Sequence, residues 1–320
     1  MDIPLARIQQ VEGPEGESFA HSLLAGLRKL PKEIACKYFY DDVGSRLFDQ
    51  ICELPEYYQT RTETALLRRH AGEIAQLVGE GAEIVEFGAG SLRKVRILLD
   101  AVENPCAYTP LDISGEYLGG VVQSLAADYP TLTLRPLVGD FSRALDIPPL
   151  PDQPRRAGFF PGSTIGNFKP DAAMALLKRM RANLNGGGLL IGVDLVKDPV
   201  RLHAAYNDAA GITALFNKNL LARANRELGA DFDLGGFAHY APYNAAAHRI
   251  EMYLVSLRRQ SVSLCGQRLE FALGEAVHTE DSHKYTIESF REMACRSGFN
   301  PRAVWTDEER LFSLHWLESR

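Results

Sequence analysis

Between about residue 63 and residue 196 the chain alternates short apolar runs with amphipathic segments, and turns rich in glycine separate the two. Leu66, Leu67, Ile74 and Leu77 keep helical spacing across 63–79. After them the pattern predicts strands near 83–88, 106–111, 132–138, 157–161 and 188–193, with helices near 92–101, 115–128 and 171–184. Asn185-Gly186-Gly187-Gly188 closes the last of these helices and opens the fifth strand. Strands apolar along their whole length, joined by crossover helices, belong to a parallel sheet covered on both faces. The fold class expected is therefore α/β.

The pattern changes after residue 197. A helix-rich stretch with Tyr206, Phe216 and Leu220 precedes two alternating runs, 249–256 and 267–273, which have the period of antiparallel strands. The tail returns to a helix near 285–297 and an apolar strand near 302–305. Residues 60–196 with 286–320 are expected to form one domain, and 1–59 with 197–285 a second, mixed α+β domain.

The run Ile84-Val85-Glu86-Phe87-Gly88-Ala89-Gly90-Ser91 carries the clearest chemistry. An apolar strand stopping in a Gly-x-Gly turn and restarting as a helix brings bare backbone against a nucleotide-like ligand. The dinucleotide fingerprint needs a third glycine where this chain has Arg93, which disfavours a pyrophosphate. Asp112 lies about twenty residues past the turn, after the next apolar run, and suits the ribose hydroxyls of an adenosine. The following run delivers Asp140-Phe141, a carboxylate to accept from an adenine amino group and a ring to stack on its face. Three strand ends serving three parts of one ligand is the arrangement of Rossmann-like enzymes that use S-adenosylmethionine.

Composition sets the surroundings. The 320 residues are 46% hydrophobic and 24% charged, ordinary globular material with room for two cores. A net charge of −6, with no cluster of Lys and Arg, argues against a nucleic-acid partner and for a small substrate. No apolar stretch reaches the roughly 18 residues of a spanning helix, and the acidic N-terminus has no leader pattern, so no membrane partner and a cytoplasmic location are expected. A monomer is expected. Five cysteines with no C-x-x-C pair read as reduced, mostly buried thiols, and scattered histidines call for no metal.

Two further segments carry polar chemistry. Leu54-Pro55-Glu56-Tyr57-Tyr58-Gln59-Thr60-Arg61 offers phenols to a ligand, although half-buried surface aromatics would look the same. Pro161-Gly162-Ser163-Thr164-Ile165-Gly166-Asn167-Phe168 follows a strand end and suits a small polar group, although Asn167 is also an ordinary turn residue.

Taken together, Tyr40-Asp41 with Gly44-Ser45, Leu54-Pro55-Glu56-Tyr57-Tyr58, Val85-Glu86-Phe87-Gly88-Ala89-Gly90, Gly162-Ser163-Thr164-Ile165-Gly166-Asn167, Asp194-Leu195-Val196-Lys197-Asp198, Phe216-Asn217 and Arg226-Glu227-Leu228-Gly229 resemble the histidine-specific Nα-methyltransferases that make hercynine for ergothioneine biosynthesis. The resemblance runs from about residue 20 to the end. It implies a Rossmann-like, S-adenosylmethionine-dependent methyltransferase sheet with a second, mixed α+β substrate-binding domain. It also implies trimethylation of the α-amino group of L-histidine. Matched residue by residue, it assigns the cofactor to Tyr40, Gly88, Lys94, Asp112, Asp140 and Phe141. It assigns the amino acid to Tyr57, Gly162, Asn167, Tyr206, Glu280 and Ser282, with Phe48 and Met252 lining the pocket. Tyr40, Tyr57 and Asn167 would orient the amine for transfer. Asp281 and His283 depart from the family form of the segment around Glu280.

A histidine site needs a carboxylate for an imidazole N–H, which Glu280 supplies, yet the same residue in a polar segment could be a solvated surface acid. Two other functions stay open at this level: methyl transfer to another free amino acid such as tyrosine or tryptophan, and a non-catalytic module that binds S-adenosylmethionine.

Overall fold

The computed structural model describes residues 9–10, 18–90 and 92–319. Ser91, the last residue of the glycine-rich run, lies outside the described residues, as do 1–8 and 11–17 of the expected second domain. The chain divides into two compact units, one of Met1–Gly16, Gln59–Val196 and Tyr285–Arg320, the other of Glu17–Tyr58 and Lys197–Lys284. The strand Gln9–Gln10 pairs in parallel with Leu137–Val138, so the N-terminus is shared between the units and not assigned whole to the second.

The first unit is built on a nine-stranded sheet among the described residues. Its order is Gln9–Gln10, Leu137–Val138, Ala107–Asp112, Glu83–Phe87, Arg156–Phe160, Gly188–Asp194, Phe312–Ser319 and Phe299–Thr306, with Thr133–Leu134 also beside Ala107–Asp112. Glu83–Phe87 and Arg156–Phe160 are buried at every position, as strands covered on both faces require. The chain leaves Glu83–Phe87 to one side for Ala107–Asp112 and later returns to its other side with Arg156–Phe160. That reversal opens a crevice at the carboxyl ends of these strands.

Three expectations change. The predicted strand 132–138 is two short pieces, Thr133–Leu134 and Leu137–Val138, interrupted at Arg135-Pro136 because proline has no N–H for the ladder. The predicted helix 63–79 is two, Tyr58–Arg69 and Ala71–Val78. The sheet is also not wholly parallel: Phe312–Ser319, which the pattern does not predict, runs antiparallel between Gly188–Asp194 and Phe299–Thr306.

The second unit packs the helices Phe19–Leu27, Asp42–Glu53, Pro199–Tyr206 and Ile212–Leu228 with a five-stranded sheet. The helix Asp42–Glu53 starts where Asp41 accepts from the Gly44 N–H at 2.7 Å, and the same carboxylate takes the Asn219 amide at 2.7 Å and pairs with Arg226. The two predicted alternating runs do not pair with each other. Arg249–Ser256 pairs antiparallel with Ala276–His283, and Gln267–Phe271 forms a hairpin with Gln260–Leu264. The mixed α+β character is as expected.

Candidate functional site

In the first unit the crevice is stitched together by main-chain hydrogen bonds. The N–H groups of Gly88 and Ala89 donate to the Leu111 carbonyl at 2.9 and 3.1 Å, and the Gly139 N–H donates to the Asp112 carbonyl at 2.9 Å. The turns carrying Gly88, Asp112 and Asp140 therefore form one edge. Gly88 has φ +76°, and a Cβ there would come within 3.2 Å of the Phe141 ring, so only glycine keeps the backbone bare beneath that ring. Phe141 is held edge-on to Phe160 at 5.6 Å and lies 6.5 Å from Phe168.

The carboxylates of this edge have separate environments. Burial pushes Asp112 up to about 6, opposed by the main-chain N–H of Ser114, which it accepts at 2.9 Å. Asp140 accepts from the Ser142 N–H at 2.9 Å. Glu86, one residue inside the strand, is raised by burial to about 8 although the Tyr108 hydroxyl donates to it.

Lys94, on the helix Leu92–Ala101 that follows the turn, is ion-paired with Glu63. Glu63 is wholly buried, and both its oxygens accept from the Gly162 N–H, at 3.0 and 2.9 Å. A Cβ on Gly192 would stand 2.1 Å from Glu63 Oε1, so the strand Gly188–Asp194 is bare where this carboxylate lies. Past Gly162 the chain turns through Ser163, in the left-handed region at φ 56°, into the short helix Thr164–Asn167. The Ser163 hydroxyl accepts from the Asp194 N–H at 2.9 Å. Gly162 is thus tied through Glu63 to Lys94, and the short helix that ends in Asn167 follows it at the carboxyl end of the strand Arg156–Phe160. Glu63 was missed from sequence; its place three and four residues before Leu66 and Leu67, on the apolar face of a helix, was the available signal.

The remaining predicted residues meet in the second unit. Glu280 stands opposite Met252 and Ser282 opposite Ile250 in the ladder, so these four side chains share one face. An irregularity between Met252 and Tyr253 leaves Thr279 as the extra residue, whose hydroxyl donates to the Met252 carbonyl at 3.1 Å. It also brings His278 to the side of Asp281, 3.0 Å away, with Arg249 3.2 Å from the same carboxylate. The unusual Asp281 is thereby engaged on the face opposite Glu280 and Ser282.

Glu280 is only 8% exposed; burial raises it to about 8, against the pull of Lys284. Aromatic rings extend from it. Tyr40 lies 5.6 Å from Phe48, Phe48 6.3 Å from Tyr57, and Tyr57 6.4 Å from Tyr206. Burial and then the Glu280 charge push the Tyr40 phenol well up. Tyr57 and Tyr58 are both buried, which rules out the surface reading; the Tyr58 hydroxyl accepts from Lys197 at 2.6 Å. The Tyr206 and Ser282 hydroxyls are 2.7 Å apart. Lys284, which donates to both, was not singled out from sequence.

The division has a consequence for the assigned roles. Tyr40, matched to the cofactor, lies in the second unit with most residues matched to the amino acid, while Gly162 and Asn167, matched to the amino acid, lie in the first unit with Gly88, Lys94, Asp112, Asp140 and Phe141. A separate cavity of about 300 Å³, lined by Asp146, Ile147, Arg156 and Asn183, lies at the start of the strand Arg156–Phe160, the opposite end from the crevice, and holds none of these residues. Among the described residues there is no cluster of His, Cys, Asp and Glu able to hold a metal ion, and no helix is long and apolar enough to cross a membrane. All five cysteines are free, but Cys265 and Cys295 are exposed and Cys36, Cys52 and Cys106 half-buried, so the expectation of mostly buried thiols fails.

A bare turn under an aromatic ring, flanked by a half-buried acid at the next strand end, fits an adenosyl ligand without a phosphate. Comparison with known proteins agrees. Residues 19–319 match the family of histidine-specific, SAM-dependent methyltransferases. Over 304 residues the chain is 41% identical to histidine N-alpha-methyltransferase of Mycolicibacterium smegmatis, covering 93% of this chain and 94% of that one. The Mycobacterium tuberculosis protein of the same name is 39% identical over 310 residues, covering 93% and 96%. Ergothioneine biosynthesis protein 1 of Neurospora crassa is 31% identical over 297 residues, 90% of this chain but 33% of that larger protein. The doubly wound sheet is the Rossmann-like sheet of S-adenosylmethionine-dependent methyltransferases, and the chain belongs to the histidine-specific family of these enzymes.

Proposed function

We propose that the chain transfers methyl groups from S-adenosylmethionine to the α-amino group of L-histidine, three times in succession, giving hercynine, the first step of ergothioneine biosynthesis. The observation that carries the substrate is the buried Glu280, two residues from Ser282 on one strand face and opposite Met252. A carboxylate can accept an imidazole N–H and a hydroxyl can serve the other ring nitrogen. An indole only donates, and a phenol carries donor and acceptor on a single oxygen, whereas an imidazole presents them on two separate ring atoms, which favours histidine over tyrosine or tryptophan.

Gly88, Asp112, Asp140 and Phe141, with Lys94 and Tyr40, hold the cofactor. Tyr57, Gly162, Asn167, Tyr206, Glu280 and Ser282 hold the amino acid, with Phe48 and Met252 filling the space around it. The bound cofactor supplies an activated sulfonium methyl, so the protein's work is positioning and exclusion of water. Tyr40, Tyr57 and Asn167 orient the amine lone pair, and Asn167 and Tyr206 fix the carboxylate and amine ends. The amine proton leaves through a water or hydroxyl path and not to a dedicated strong base. We place the reaction in the cytoplasm, on a monomer, with a free amino acid and no nucleic acid as partner.

Incubation with S-adenosylmethionine and a mixture of the common amino acids, read by mass spectrometry, tests this. Histidine should gain one, two and then three methyl groups. Methylation of a different amino acid would replace the substrate, and cofactor binding with no methylation at all would leave a non-catalytic binding module.

A further inference from the structure

Glu280-Asp281-Ser282-His283-Lys284 are five consecutive polar residues, all 8% exposed or less. A buried ammonium is tolerated only where hydrogen bonds and charge replace its water. The Lys284 Nζ lies 2.9 Å from the Tyr206 hydroxyl, 2.7 Å from the Ser282 hydroxyl and 4.8 Å from the centre of the Tyr206 ring. With the two hydroxyls 2.7 Å apart, the three groups close a triangle.

Counting protons fixes what this triangle can do. An ammonium only donates, so both hydroxyl oxygens must accept from Lys284. Each hydroxyl has one proton, and the contact between them consumes one of the two. The other is directed outside the triangle. Ser282 is the hydroxyl on the Glu280 face, its Cα about 7 Å along the strand, whereas Tyr206 arrives from the helix Pro199–Tyr206 with its ring under the ammonium.

Resting on the histidine reading above, we infer that Lys284 is a positioning residue: by making both hydroxyls accept from it, with Tyr206 donating to Ser282, it fixes Ser282 as a donor toward the substrate side chain. Glu280 then accepts and Ser282 donates, two residues apart on one rigid strand. The side chain selected is a neutral ring with an N–H on one edge and an unprotonated nitrogen on another. Without the ammonium the hydroxyls can turn, and the site loses its sense of donor and acceptor.

The test uses the full chain and two substrates, histidine and the alanine derivative of a pyrrole ring that keeps the N–H but has C–H in place of the accepting nitrogen. Wild-type protein should prefer histidine by about 30-fold or more in kcat/KM. Lys284→Met should remove most of that preference by raising the histidine KM, leaving kcat and the pyrrole substrate nearly unchanged. Ser282→Ala, which removes the donating hydroxyl itself, should abolish the same preference, read as the ratio of the two kcat/KM values, and the double variant should lose no more of that ratio than either single one. Equal losses for both substrates in Lys284→Met, or losses that add in the double variant, overturn the inference. If Lys284→Met does not fold, Lys284→Gln, whose amide can accept as well as donate, takes its place and is read in the same way, an unchanged preference overturning the inference. Wild-type protein that does not methylate histidine overturns the histidine reading and this inference with it, an outcome visible before any variant is made.

Discussion

Replacing Glu280 should weaken histidine binding and strengthen the fold, and the second effect should depend on pH. In the folded chain burial holds Glu280 near 8 against an ordinary 4.5. At about 1.4 kcal/mol per pH unit, that gap corresponds to roughly 5 kcal/mol. Below pH 4.5 the group is protonated folded and unfolded, and its contribution is complete. As pH rises, the unfolded chain ionises first while the folded chain keeps its proton, so stability falls until the folded group ionises near 8. Glu280→Gln has no proton to lose. Relative to wild type it should be nearly neutral at pH 5 and more stable by a few kcal/mol at pH 8.5, reduced because Lys284 then loses a neighbouring negative charge. Glu280→Ala, which removes the acceptor altogether, should weaken histidine by about 2–4 kcal/mol, roughly 30- to 1,000-fold. Urea unfolding at the two pH values and calorimetric titration of histidine measure both effects. The same stability change at pH 5 and pH 8.5, or unaltered histidine affinity, would refute the reasoning.

Asn167→Ala should cut turnover by about a hundredfold while leaving cofactor affinity intact, because the side chain aligns the amine and not the donor; loss of cofactor affinity in calorimetry would move Asn167 to the other ligand. Glu63→Ala strands Lys94 and the Gly162 N–H together, and should cost about 3–5 kcal/mol in urea unfolding and weaken the cofactor. A variant of wild-type stability would show that the pair is not a structural pin. Glu86→Gln keeps an acceptor for Tyr108 and removes an acid held near 8, so its thermal melting should match wild type near pH 5 and exceed it above pH 8; a gain that is flat with pH would place the raised ionisation elsewhere.

Much of the first unit is legible because most strands from Glu83 to Asp194 carry short apolar runs, several of them next to glycine turns, a local signal. The strand Phe312–Ser319 is not. Ser313 and His315 interrupt its apolar character and suggest an exposed end, yet both are fully buried, bonded to each other at 2.9 Å in a strand paired on both sides. In the second unit the alternation of Arg249–Ser256 is plain, but its partner is hidden. Ala276–His283 reads as a polar loop, and only pairing across a long stretch of chain makes it a strand. The same division governs the site. Gly88, Asp112, Asp140 and Phe141 announce themselves by following strands, whereas Glu63 and Lys284 acquire meaning only from what the fold sets against them.

Those two hidden residues set directions for the polar groups around them. A chain that needed only stability would not bury Glu63 with Lys94, or Glu280 near Lys284, since buried charges of this kind are often matched or bettered by well-packed apolar side chains. What apolar packing cannot do is fix a direction. Glu63 orients one N–H and one ammonium at the turn that follows a strand, and Lys284 orients two hydroxyls on another. Because Glu63 stands on a helix and Lys284 directly follows a strand, both already committed to their own cores, the polar groups are set before any ligand arrives and need little rearrangement on binding. A run such as Glu280–Lys284, poor by every local rule for a buried strand, is where selection for a ligand overrides selection for the core.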